Sequence, residues 1–168
     1  EKRLCFLKGE FLHMGEVRRK ETLAAMAGLG VADKDVAFLG YPDFGTLLIL
    51  TRYWGHTKPY RSLLTRVTKV SYKEAFSFGV PYVGESVLKD LKEILLDFKP
   101  TKIFVSNPVD TNRDHRALYL FTQIALWDLE HRLQKPIVYP YLIHVVGWPE
   151  PRGFHSELAL EPPLKYKN

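Results

Sequence analysis

The sequence predicts an α/β fold with a mostly parallel sheet and helices on both faces, and three observations carry that prediction. Short apolar runs at residues 4–7, 36–39, 103–105 and 137–146 read as strands, and longer stretches at helical spacing lie between them. Alternation of this kind favours a parallel sheet with crossover helices. Polar, chemistry-bearing residues then crowd the point where the strand at 103–105 gives way to a helix, which is where open α/β sheets bind their ligands.

The bulk properties narrow the function classes. A chain of 168 residues, 46% hydrophobic and 26% charged, suits one globular domain with a sizeable core. The net charge of +5 is modest. Apart from Arg18-Arg19-Lys20, the basic residues are scattered rather than gathered on one face, so no nucleic-acid partner is expected. A single cysteine, Cys5, excludes a disulfide within the chain and fits a reducing, cytoplasmic setting, with Cys5 itself read as a small buried hydrophobe. No apolar stretch approaches the ~20 residues that span a bilayer, and no signal peptide is visible.

Taken in order, the first apolar run is a strand leaving through Lys8-Gly9-Glu10. Residues 16–29 follow as a helix, with Gly30 as its stop and an Ala-rich middle suited to close packing on a sheet. Arg18 and Glu21 share a face, either as an exposed ion pair or with Arg18 turned to the ligand crevice. The strand at 36–39 ends in the turn Gly40-Tyr-Pro-Asp-Phe-Gly45, where Asp43 is a turn-former or, at the same sheet edge as Asp110, a ligand contact.

Residues 46–83 form an irregular, aromatic-rich insertion, read as a lid or as rings that pack the segment onto the domain. Residues 85–98 are the clearest helix, with Val87, Leu88, Leu91, Ile94, Leu95 and Phe98 on one stripe and Lys99-Pro100 as the stop. After the strand at 103–105 comes a helix over 113–132, with Leu118, Phe121, Ala125 and Leu129 on one face. Pro136 breaks the pattern, the run at 137–146 holds His144, and residues 157–160 read as a final edge strand.

The polar loop carries Asn107, Asp110, Asn112, Asp114 and His115. Carboxylates, amides and an imidazole so placed suit metal-assisted or acid/base chemistry. Asn and Asp at a helix start also read as caps for the first-turn N–H groups, the more common role for such residues. One local histidine makes no zinc site by itself, and the sequence holds no HExxH, GxSxG, GxGxxG or P-loop.

Several segments, in order, resemble the PIG-L/LmbE-type zinc-dependent de-N-acetylases. They are Arg18-Arg-Lys-Glu21 with Leu29-Gly30-Val31, Phe38-Leu-Gly-Tyr-Pro-Asp43, and Asp110-Thr-Asn-Arg-Asp-His115-Arg-Ala117. The segment Tyr141-Leu-Ile-His-Val-Val-Gly-Trp-Pro149 looks like the C-terminal part of some members. The resemblance implies a Rossmann-like three-layer α/β/α fold and removal of acetyl from N-acetylglucosamine-type groups, including glycolipid-type substrates. It implies His115 as a ligand of one zinc ion and Asp114 as a carboxylate that sets a neighbouring side chain. Arg18 and Asp43 would hold the sugar hydroxyls. Apart from the resemblance, Asp110 and His144 are read as further substrate-side residues, with His144 either the proton donor, if its strand end faces the crevice, or a core histidine bonded to backbone.

The sequence departs from the family at two places. Nothing in it matches the first motif, Ala-His-Pro-Asp-Asp-Glu, which supplies two zinc ligands and the general base, so the chain is expected to begin at the family's second strand. Asn112 stands where the family has a histidine thought to stabilise the oxyanion, and its amide can donate only a neutral hydrogen bond. Whether the chain catalyses, or binds the sugar as a degenerate relative, is left open, as is a homo-oligomer.

Overall fold

A computed structural model describes residues 7–55, 57–148, 150–159 and 161. Of the strand expected at 4–7, and of Cys5, only Leu7 falls among these residues. The first helix, α1 (Lys8–Gly28), starts eight residues before the expected Glu16. Glu10 explains the early start: its carboxylate accepts the orphan Leu7 N–H, and a negative charge in the first turn suits the helix dipole. Gly9 is therefore a first-turn residue and not a strand exit.

The far end of α1 follows the expectation closely. Gly30 takes a left-handed φ of 79°, its N–H reaches the carbonyl of Ala27, and the Val31 N–H reaches that of Met26. This paired bonding satisfies two orphan carbonyls and needs a residue without a Cβ penalty at Gly30. The Ala-rich middle is not packed on a sheet: Ala24, Ala25 and Ala27 are exposed.

A short 3-10 turn (Asp33–Asp35) leads to residues 36–40, which are not in a ladder. The Phe38 carbonyl accepts from the Phe76 N–H at 2.7 Å instead, so the expected strand is a tether for the aromatic segment. Residues 46–83 are less irregular than they read. They hold a helix, α2 (Thr46–Arg52), and an antiparallel bridge between Lys69 and Pro81. The segment also supplies Ile49, Tyr60, Val70, Ala75 and Tyr82 to the main core cluster. The rings do pack the segment down: Trp54 stacks on Phe121 at 6.2 Å between centroids. That approach needs Gly84, where a Cβ would come within 2.4 Å of the indole.

Helix α3 (Gly84–Phe98) buries Val87 and Leu95 from its predicted stripe, while Phe98 at its last position is exposed. Lys99 ends the helix in the left-handed region at φ 51°, ahead of Pro100. Strand β1 (Lys102–Ser106) and strand β2 (Ile137–Tyr141) pair in parallel, from Lys102 opposite Ile137 to Ser106 opposite Tyr141. A parallel pair needs a crossover, and α4 (Arg113–Asp128) provides it. Its buried face is Ala117, Phe121 and Ala125, continued by Leu129 in the following turn, and Leu118 points outward.

Pro140 in β2 lacks a donor, as an edge strand tolerates. β2 stops at Tyr141, short of the expected 146, because the chain beyond it turns onto the loop after β1. Residues 155–158 form a turn closed by the Leu158 N–H on the His155 carbonyl, so the edge strand expected at 157–160 is not formed by its described part. The architecture is mixed α/β, with four helices and a small open parallel sheet of two strands among the described residues.

Candidate metal centre

The site begins at the carboxyl end of β1. Ser106, buried at that end, donates its hydroxyl to the His115 carbonyl at 2.9 Å and fixes the first turn of α4 against the strand. The Asn107 N–H continues the ladder onto the Tyr141 carbonyl at 2.8 Å. Thr111 then clamps the 144 position: its N–H and hydroxyl both donate to the His144 carbonyl, at 2.9 and 3.0 Å. Two loops, 107–112 and 142–144, are thereby locked together, although the residues come from opposite ends of the βαβ unit.

Asp110 sits in the middle of that lock with its side chain fully buried. Oδ1 accepts the Asn112 N–H at 2.8 Å. Oδ2 accepts the Ile143 and His144 N–H groups at 3.2 and 3.0 Å. Both neighbouring imidazoles face the same carboxylate, His115 Nδ1 at 3.1 Å from Oδ2 and His144 Nδ1 at 3.4 Å from Oδ1. Burial alone raises a carboxyl pKa, but here the backbone donors and His115 outweigh it and hold Asp110 well below the usual carboxylate range. The two rings lie 5.0 Å apart between centroids. Asp110, His115 and His144 form a cluster of the kind that holds a metal ion, one donor atom from each lying within 4.8 Å of the others. Imidazole nitrogens with a carboxylate are a donor set that suits zinc and related divalent ions.

Asn112 is the N-cap of α4. Its side-chain oxygen accepts from the Asp114 and His115 N–H groups at 2.8 and 3.4 Å, which commits the oxygen and leaves the amide N–H₂ as its outward chemistry. Asp114 commits its carboxylate to the 44–46 turn. Its carboxylate accepts the Phe44 N–H at 2.6 Å, the Thr46 N–H at 3.0 Å and the Thr46 hydroxyl at 2.5 Å. It thus caps the start of α2 from another helix.

Asp43 lies beside Asp114 and also accepts the Phe44 N–H, at 3.1 Å. Partial burial, then the Asp114 charge, raise its carboxyl above the ordinary value. Arg18 pairs with Glu21 at 2.9 Å on an exposed face of α1. Arg18 and Asp43 line one cavity of about 290 Å³ together with Tyr41, Tyr72 and Tyr82. His115 and His144 are not part of its lining; Asp114 and the 43–46 turn are the link between cavity and cluster. Sequence reasoning missed Thr46 and Thr111, whose hydroxyls make these links and which no motif singles out.

An α/β unit with an imidazole–carboxylate cluster beyond its parallel strand is the class of site that could hold a metal ion. The PIG-L family model, described as GlcNAc-PI de-N-acetylase, matches residues 3–126. The chain belongs to the PIG-L family. No curated protein and no solved structure matches it.

Proposed function

We propose that the chain is a zinc-dependent hydrolase that removes acetyl from an N-acetylglucosamine-type sugar conjugate. The observation that supports this most is the Asp110–His115–His144 cluster at the end of β1 in a PIG-L chain. His115 would hold the metal through Nε2, since its Nδ1 faces Asp110. When bound, zinc lowers the pKa of a coordinated water and polarises the amide carbonyl. The residues of this chain supply positioning and substrate binding. Asp110 keeps the His115 ring in one tautomer and orientation. Asn112 offers its amide N–H₂ to the carbonyl oxygen of the substrate. Arg18 and Asp43, lining the neighbouring cavity with tyrosines, bind the sugar hydroxyls. Asp114 holds the 43–46 turn that carries Asp43.

The three-layer α/β/α arrangement of the family belongs to the same proposal. So do a sugar or glycolipid-type partner and a cytoplasmic setting. No helix among the described residues is long and apolar enough to cross a membrane.

A second reading, a sugar-binding relative without turnover, is favoured by one observation: Asn112, at the family's histidine position, spends its oxygen on a helix cap. The two readings separate in an assay of acetate release from N-acetylglucosaminyl conjugates, with and without added zinc. Hydrolysis that needs zinc and is lost in His115→Ala supports the enzyme. Sugar binding without acetate release supports the second reading. Full zinc content and activity in His115→Ala would refute the role given to His115.

A further inference from the structure

His144 lies outside the residues matched by the family model, which end at 126. Its position is nevertheless built rather than incidental. The backbone N–H of His144 is held by Asp110 Oδ2 at 3.0 Å, and its carbonyl is held twice by Thr111. Three hydrogen bonds thus fix the main chain of a residue whose side chain stays half exposed. The ring is then directed by the same buried carboxylate that directs His115. Each imidazole turns Nδ1 to a different oxygen of Asp110, at 3.1 and 3.4 Å. Among the described residues, neither Nε2 has a hydrogen-bond partner.

A carboxylate that accepts Nδ1–H leaves Nε2 as the lone-pair nitrogen and raises its basicity, the usual support for a metal-bound histidine. Two imidazoles supported from one carboxylate, with ring centroids 5.0 Å apart, leave one such nitrogen on each of two neighbouring rings. Asp110 is poorly placed to be a ligand itself, because its oxygens already accept three backbone N–H groups besides facing the two rings.

We propose that His144 is a second imidazole donor to the cation held by His115, and that Asp110 is the positioning residue for both rings rather than a ligand. The inference rests on the metal reading given under the proposed function and adds a donor from the segment after β2. The pair supplies two nitrogen donors from one βαβ unit, and water or other ligands complete the coordination.

The test is metal binding by the whole chain, read apart from catalysis. Zinc affinity is measured by competition with a chromophoric chelator, and the ligand set is read from the visible absorption of the cobalt(II) form. His144→Ala, at a half-exposed side chain that leaves the fold intact, should weaken zinc on the order of 100-fold and shift the cobalt bands. Asp110→Asn should weaken zinc roughly 10- to 100-fold while the bands keep their positions, because the donors are unchanged. If His115→Ala abolishes binding but His144→Ala leaves affinity and spectrum as in the wild type, this inference fails and the metal role of His115 stands. If Asp110→Asn shifts the bands as a lost donor does, Asp110 is a ligand and the division of roles is wrong. If the wild-type chain takes up no zinc or cobalt, both this inference and the metal reading beneath it fall.

Discussion

Asp90 and Asp110 are both almost fully buried carboxylates, and their surroundings push them in opposite directions. Asp110 is surrounded by backbone N–H donors, which favour the charged form. Among the described residues, Asp90 accepts two hydroxyls, from Tyr41 at 2.9 Å and Ser77 at 2.7 Å. For Asp90 burial outweighs those bonds, and nearby Glu93 adds to it against a smaller opposing effect of Lys89, so its carboxyl lies above the ordinary value near 3.8. A raised carboxyl pKa means that the folded chain holds the proton more tightly than the unfolded chain does. The stability that this gives is fully present below the ordinary value and is lost as pH rises through the raised one. Asp90→Asn should therefore flatten the decline in stability above about pH 4. Urea midpoints measured from pH 4 to 7 test this, and parallel profiles for wild type and variant would exclude Asp90 as a source of the slope. Asp90→Ala should cost about 2–3 kcal/mol, because the Tyr41 and Ser77 hydroxyls lose their partner.

At the scale of the element, Asp114 joins two helices. Its carboxylate takes two N–H groups and one hydroxyl at the start of α2, a helix of seven residues that has no side-chain cap of its own. Asp114→Ala should cost about 2 kcal/mol of stability by removing this cap. Zinc affinity should stay within a few-fold of wild type, since the Asp114 carboxylate is bonded to Phe44 and Thr46. Chemical unfolding and the chelator competition, run on the same variant, check both parts. A large loss of zinc with little loss of stability would instead give Asp114 a role at the metal.

The elements also show what the residues disclose unaided. The stripe of α3 was legible because Val87, Leu91 and Leu95 repeat at helical spacing and Pro100 stops it. Phe98 misled because a last-turn residue has no neighbour to cover it. The start of α1 was hidden: the apolar residues before Lys8 suggested a strand exit at Gly9, and the Glu10 contact with Leu7 is visible only in the folded chain. The stretch 36–39 has strand composition, but its partner is a single backbone bond from Phe76. Composition describes what a segment tolerates; pairing depends on what lies beside it.

For the whole molecule, the division runs along sequence distance. The family motifs at 18–21, 38–43 and 110–117 were legible because each is local. The union of His144 with His115 was not, since it depends on where β2 ends and how residues 142–144 turn back over the loop after β1. Nor was the separation of the Arg18–Asp43 cavity from the two imidazoles, which Asp114 and the 43–46 turn bridge. Asp110 reads as a substrate-side residue, and its full burial, with both imidazoles facing its carboxylate, was not legible in the sequence.

The most direct test of the metal centre is an anomalous-scattering map at the zinc edge from crystals of the chain grown with zinc. A peak about 2.0–2.1 Å from Nε2 of His115, on the side shared with His144, is the predicted result. A zinc peak elsewhere on the molecule, with the His115 ring free, would contradict it.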